Sequence, residues 1–141
     1  MNNNIEYLTA FEDLNKYTFD NFFVGWTNKP QLRTFENILL QSSNKVVAID
    51  LTNNKVIGFI YAITDNYLSA YIPLLEVLPE YQKKGVGTKL LEILMDNLSE
   101  FYMIDLSCDI DMVNFYENKG FKKSVAMIKR NYNKINREAE N

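Results

Sequence analysis

The chain has 141 residues, a formal charge of −3 at pH 7, no histidine and a single cysteine, Cys108. That length reads as one domain spanning residues 1–141, and the acidic balance gives no support to a nucleic-acid partner. Without histidine, Ser-His-Asp and Cys-His catalysis are excluded and no imidazole is left for zinc or haem; no metal is expected.

Met1-Asn2-Asn3-Asn4 lacks the basic and apolar regions of a signal peptide, and no run reaches the ~18 apolar residues of a membrane span. A lone cysteine forms no intramolecular disulfide, which suits a reducing compartment, so a cytoplasmic protein with no membrane partner is expected.

Residues 5–10 read as a short first strand. From Glu12 to about Asn21, the spacing of Phe11, Leu14, Tyr17 and Phe19 predicts a short helix. The aromatic run Phe22-Phe23-Val24-Gly25-Trp26 follows, ending at a turn near Asn28-Lys29-Pro30; it reads either as core packing under a loop or as one wall of a substrate pocket. Pro30 opens a second helix with Leu32, Phe35, Ile38 and Leu39 on one face. Residues 44–51 and 55–64 predict an antiparallel hairpin closed by Thr52-Asn53-Asn54. After the turn at Asp65-Asn66, a strand runs from about Tyr67 to Leu78, broken by Pro73, which marks a bulge or an edge because it cannot donate to the ladder.

Next comes a glycine-bearing loop and a helix whose Val86, Leu90, Leu91, Leu94 and Leu98 recur at helical spacing. Residues 101–108 predict another strand. Residues 109–119 predict a short helix with Asp109 or Asp111 as cap and Gly120 as its C′ residue. Residues 121–131 predict a last strand or two, and the polar tail from Asn133 is expected to fray. The order β-α-α-β-β-β-α-β-α-β defines an α+β fold around one mixed sheet.

Gly85 and Gly87 sit where loop becomes helix, a position where backbone approaches a ligand closely and the first helical N–H groups face an anion. The pattern G-x-x-x-x-G-K-[ST] is absent, because no glycine stands five residues before Gly85 and Val86 follows it. The dinucleotide pattern fails at its third glycine, where Leu90 stands. Gln82-Lys83-Lys84-Gly85-Val86-Gly87 instead fits [RQ]-x-x-G-x-[GA], preceded by Leu75, Val77, Pro79 and Tyr81. This segment resembles the acetyl-CoA signature of the GNAT N-acetyltransferase superfamily. A second segment, Asp109 to Phe121, resembles the family's N-x-x-A-x-x-F-Y-x-x-x-G-F: Phe115, Tyr116, Gly120 and Phe121 match, while Asp109 and Met112 replace the usual Asn and Ala.

The resemblance covers roughly residues 44 to 130. It implies a single-domain GNAT-like α+β fold, with a mixed sheet of six to seven strands, about four helices and a splay between strands 4 and 5 that receives acetyl-CoA. It also implies pyrophosphate binding by N–H groups from Lys84 to Thr88, that is Lys84, Gly85, Val86, Gly87 and Thr88. Main-chain groups of Val77 and Leu78 would hold the pantetheine, and the Val77 N–H would polarise the thioester carbonyl. Gln82 stands for the commoner Arg. Lys83 and Lys84 would neutralise phosphate charge, or are simply solvated lysines at a helix start.

The implied reaction is direct acetyl transfer to a primary amine of a small molecule, peptide or protein. Tyr116 matches the family's general acid; a phenol of pKa about 10 keeps its proton at neutral pH. The acceptor amine must lose a proton, at a cost of about 4–5 kcal/mol for an alkylamine at neutral pH. Glu76 is the nearest carboxylate by sequence and the candidate base, although strand alternation points it away from Leu75 and Val77. Asp65, Asp105 and Asp109 are weaker candidates, and Cys108 reads as buried and inert. A non-catalytic acyl-CoA-binding module is the alternative function. The partners compatible with this reading are an amine acceptor and a second copy of the chain in a homodimer.

Overall fold

The computed structural model describes residues 4–136. The opening residues 1–3, and the tail residues beyond Asn136, lie outside the described residues. Five strands form one sheet in the order β1-β2-β3-β4-β5: β1 is Ile5–Leu8, β2 Asn44–Asp50, β3 Lys55–Thr64, β4 Ser69–Val77 and β5 Met103–Leu106. The first four pair antiparallel and β5 joins β4 parallel, so the sheet is mixed. Three α-helices complete the fold: α1 (Leu32–Gln41), α2 (Val86–Asn97) and α3 (Val113–Glu117).

The two main helices lie on opposite faces of the sheet. Alternation along β3 sends Phe59 and Tyr61 toward Phe35 of α1, whose ring stands 4.5 Å from that of Phe59. Gly58 faces the other way, and a Cβ there would meet Leu90 Cδ1 of α2 at 3.1 Å. The predicted apolar stripe of α2 is the buried one: Val86, Leu90, Leu91, Leu94 and Leu98 are all sealed from solvent. β2 and β3, covered on both faces, are buried almost throughout, which is why both read as continuous apolar runs.

Several expectations are corrected. The described residues hold five strands and three α-helices, not six to seven strands and about four helices. The helix expected over residues 12–21 does not form. There the Asp13 carboxylate accepts the Asn15 N–H, a local turn that competes with helix, and Thr18 bridges to Lys55 beside β3. Phe11, Leu14 and Phe19 still pack into the core, but as a loop. Residues 121–131 carry no ladder, helix, turn or bend. The polar tail closes one short 3-10 turn, Tyr132–Lys134, and the Asn136 side chain accepts the Gln31 N–H at 2.6 Å beside the start of α1.

Candidate active site

The Pro73 interruption has the predicted consequence. The register between β3 and β4 slips by one residue between Tyr61 and Ile63, opposite Ile72 and Pro73, which is a bulge. β5 follows β4 only from Ser69 to Ile72, so β4 runs on to Val77 with no neighbour on that side among the described residues. The hydrogen-bond phase then decides which groups are free. Leu78 N–H donates to the Ile57 carbonyl at 2.9 Å, so residues 76 and 74 also face β3 while Val77 and Leu75 turn their N–H and C=O groups to the open side. The expectation that Leu78 offers its main chain is therefore corrected: its N–H is committed to Ile57 and its carbonyl accepts the Tyr81 N–H. Val77 offers its N–H. Its carbonyl accepts Gln82 Nε2 at 2.9 Å, which ties the loop to the strand end.

The loop between β4 and α2 is built to present backbone. A 3-10 turn over Pro79–Tyr81 leads to Gly85, which adopts φ 85°, a left-handed conformation that favours glycine. No side chain caps α2, so its first N–H groups, at Val86, Gly87 and Thr88, stay open with the positive end of the helix dipole behind them. A Cβ at Gly85 would meet nothing within 4 Å, and one at Gly87 would meet only Val77 Cγ2 at 3.7 Å. This uncapped cradle, continuous with the free edge at Val77, fits a pyrophosphate attached to an extended chain. Lys83 and Lys84 are exposed beside it, with Lys84 Nζ 5.7 Å from the Tyr81 ring. Tyr81 is itself fixed by a hydroxyl bond to buried Asp50, an interaction that lowers the Asp50 pKa and raises that of Tyr81.

Glu76 points to the opposite side of β4 from Val77, as alternation predicts. Its carboxylate accepts the Phe23 N–H at 2.9 and 2.8 Å and the Val24 N–H at 3.4 Å. Phe23 has φ 63°, rare for a bulky residue, and the carboxylate sits in the small nest that this turn creates. Burial raises the Glu76 pKa, opposed by these backbone bonds and by Lys29. No sequence signal linked Glu76 to a loop more than fifty residues earlier. The aromatic run is mostly core: Phe22 and Phe23 are buried against Phe35 and Phe59, while Trp26, packed on Phe23, is 43% exposed.

Tyr116 lies on α3, buried, with Phe115 and Phe121 around its ring. The helix ends as Gly120 predicts: at φ 92° Gly120 donates to Glu117, and Phe121 N–H reaches back to the Tyr116 carbonyl at 3.1 Å. Burial, and then the neighbouring Cys108, push the Tyr116 phenol up to about 12. Tyr116 borders a cavity of about 920 Å³ with Tyr71, Ile104, Leu106, Cys108 and residues 119–126, and none of the residues from Val77 to Thr88 lines it. Cys108 is exposed rather than buried, with its thiol pKa raised by desolvation and by Asp109 and Asp111. Asp65 accepts the N–H groups of Tyr67, Leu68 and Ser69 and closes the turn into β4. Asp109 begins the 3-10 turn before α3 through its carbonyl, without a side-chain cap. Among the described residues, no group of three or more His, Cys, Asp or Glu is placed to hold a metal, and no helix is long and apolar enough to cross a membrane.

A mixed sheet with a free strand edge running into an uncapped helix start offers open backbone donors to an extended, anion-bearing ligand. Residues 11–121 match the Acetyltransferase (GNAT) family, and the chain belongs to that family. GNAT members use acetyl-CoA as co-substrate, so acetyl transfer is the reaction class of this enzyme. An uncharacterized N-acetyltransferase, ycf52, of Pyropia yezoensis is 29% identical over 124 residues, covering 83% of this chain and 70% of that protein. The crystal structure of a provisionally named acetyltransferase from Deinococcus radiodurans R1 superposes with a TM-score of 0.87 at 36% identity, covering 96% of this chain and 94% of that one. A GNAT family acetyltransferase of Streptococcus pneumoniae TIGR4 follows at a TM-score of 0.66 and 28% identity, covering 91% of this chain and 97% of that one.

Proposed function

We propose that the protein moves the acetyl group of acetyl-CoA directly onto a primary amine of a small molecule, peptide or protein in the cytoplasm, with Tyr116 as general acid. The observation that carries this reading is the free outer edge of β4 at Leu75 and Val77, running into the uncapped N-terminus of α2. Bound acetyl-CoA supplies the thioester. The Val77 N–H donates to its carbonyl oxygen, where negative charge grows as the amine attacks. The open N–H groups of Val86, Gly87 and Thr88 hold the pyrophosphate, with Lys83, Lys84 and Gln82 at its margin. As the carbon–nitrogen bond forms and the carbon–sulfur bond breaks, the Tyr116 hydroxyl protonates the departing sulfur.

Glu76 has a narrower part in this scheme. Its oxygens already accept two backbone N–H groups, and taking a proton from the amine would compete with those bonds. We assign it to holding the turn at residues 23 and 24, on which Trp26 packs, with the amine proton leaving through water.

Tyr116→Phe tests the acid directly. The variant should lose about 100-fold in kcat, with the KM for acetyl-CoA little changed. Because the phenol is pushed up to about 12, wild-type kcat/KM should keep rising with pH as the amine deprotonates, without a descending limb below roughly pH 10. Full activity in Tyr116→Phe would show the assignment to be wrong.

A further inference from the structure

We propose that Asp50, at the end of β2, is a positioning residue for the cofactor loop. Through the Tyr81 hydroxyl it fixes where the open N–H groups at the start of α2 stand, and so sets the affinity for the phosphate-bearing end of the donor without touching it. This rests on the reading of the α2 start as the donor's pyrophosphate site.

The loop has little scaffold of its own. The N–H groups of Tyr81 and Gln82 close the 3-10 turn on the carbonyls of Leu78 and Pro79, but those of Lys83, Lys84 and Gly85 have no partner among the described residues. Lys83 stands at φ 60° and Gly85 at φ 85°, so two left-handed residues fall close together. For a lysine that conformation is costly, and it persists only where the surroundings hold it. Two adjacent side chains supply the hold and pull toward different elements. Gln82 Nε2 donates to the Val77 carbonyl at the end of β4. Tyr81 reaches the other way, and its hydroxyl donates to Asp50 Oδ2, 31 residues earlier in the chain.

Asp50 is held ready to receive that bond. It is 2% exposed, and Tyr81 is 8% exposed. Asp50 Oδ1 accepts the Thr52 N–H at 2.9 Å and Oδ2 accepts Asn53 Nδ2 at 2.8 Å, so the closed end of the β2–β3 hairpin keeps the carboxylate in one orientation. Among the described residues no ion pair neutralises it. A buried carboxylate of this kind is a poor device for stability alone, and phenylalanine in place of Tyr81 would fill nearly the same volume.

What the carboxylate supplies is direction. The Tyr81 hydroxyl holds the Asp50 carboxyl below its ordinary range, so the bond is charge-assisted at neutral pH and fixes the ring where packing alone would let it slide. The same ring lies beneath Lys84, whose Nζ is 5.7 Å from its centroid. One hydroxyl bond therefore orders both the loop backbone and a cation at its margin. The other tie between hairpin and turn, Lys55 to Glu80 at 3.5 Å, is a surface pair with Glu80 57% exposed, and solvent screens it. Val77 keeps its own place by pairing with Gly58, so releasing the loop leaves the acyl end of the site intact.

The test follows backbone amide shifts of the full chain during titration with acetyl-CoA and with S-acetylpantetheine, which has the same acyl end without the pyrophosphate. Wild type is compared with Tyr81→Phe, Asp50→Ala and the double variant. Each single variant should bind acetyl-CoA about 10-fold more weakly, the worth of one charge-assisted hydrogen bond. The double variant should be no weaker than the weaker single one, because both substitutions cut the same chain of contacts. Affinity for S-acetylpantetheine should be unchanged throughout. Wild-type affinity for acetyl-CoA in Tyr81→Phe would overturn the proposal, and so would equal weakening toward both ligands, the mark of a general loss of structure. If Asp50→Ala failed to fold, Tyr81→Phe, which keeps the buried ring, would still decide. A wild type that bound neither ligand would overturn the donor-site reading itself, and this proposal with it.

Discussion

Two carboxylates of the sheet, half-buried Glu76 and buried Asp50, are shifted in opposite directions. Burial raises the Glu76 pKa from 4.5. Its folded form therefore holds a proton more tightly than the unfolded chain does, so its contribution to stability is complete below the unfolded pKa and is lost as pH rises through the folded one. Asp50 is lowered, chiefly by the Tyr81 hydroxyl, so its contribution is complete above the unfolded pKa and is lost as pH falls through the folded one. Urea midpoints across pH 3–8, a range that brackets the ordinary carboxylate pKa of about 4, should separate them. The stability of wild type relative to Glu76→Gln should shrink as pH rises, and that relative to Asp50→Asn should shrink as pH falls. Two differences with the same sign of pH dependence would contradict these environments. A kinetic readout separates the roles open to Glu76: if it only holds Phe23 and Val24, Glu76→Gln should raise the acceptor KM and leave the shape of the pH–rate profile unchanged. Loss of the acidic limb would instead make it the base.

At the scale of elements, Gly58 sets how closely α2 approaches the sheet behind the cofactor loop. A Cβ there meets Leu90 Cδ1 at 3.1 Å and the Glu76 carbonyl at 3.2 Å, the second of which is backbone and yields little. Gly58→Ala should cost about 1–3 kcal/mol in thermal or urea unfolding. An unchanged midpoint would mean that helix and strand separate freely. The helix itself was legible because its five apolar positions fit a single 3.6-residue period, and the bulge was legible because proline has no N–H to give. Gly120 was legible as well, since the left-handed end of α3 favours a residue without Cβ. Residues 12–21 misled because Phe11, Leu14 and Tyr17 carry a helical spacing that packing satisfies equally well from a loop. Tertiary pairing of Thr18 with the start of β3, and positive φ at Asn21 and Phe23, override that local pattern. The site divides the same way. The glycines and Tyr116 lie in contiguous motifs, whereas the partners of Glu76 are fixed only when the fold brings the distant loop to β4. The hydrogen-bond phase that frees Val77 and commits Leu78 depends on register, which composition does not encode.

For the molecule as a whole, the sheet is organised as a wedge. Pairing of β4 and β5 holds it closed at Ser69–Ile72, and the bulge at Pro73 opens it toward α2. Direct transfer to an amine is the function proposed for the free β4 edge and the α2 cradle. Its most direct measurement follows free thiol from acetyl-CoA across a panel of primary amines, with the acetylated product counted alongside. Direct transfer predicts thiol and acetylated amine in equal amounts, strictly dependent on the amine and with no burst in its absence. If acetyl-CoA raised the melting temperature but no amine released thiol, the protein would be a binding module. A melting temperature unmoved by millimolar acetyl-CoA would contradict the site itself.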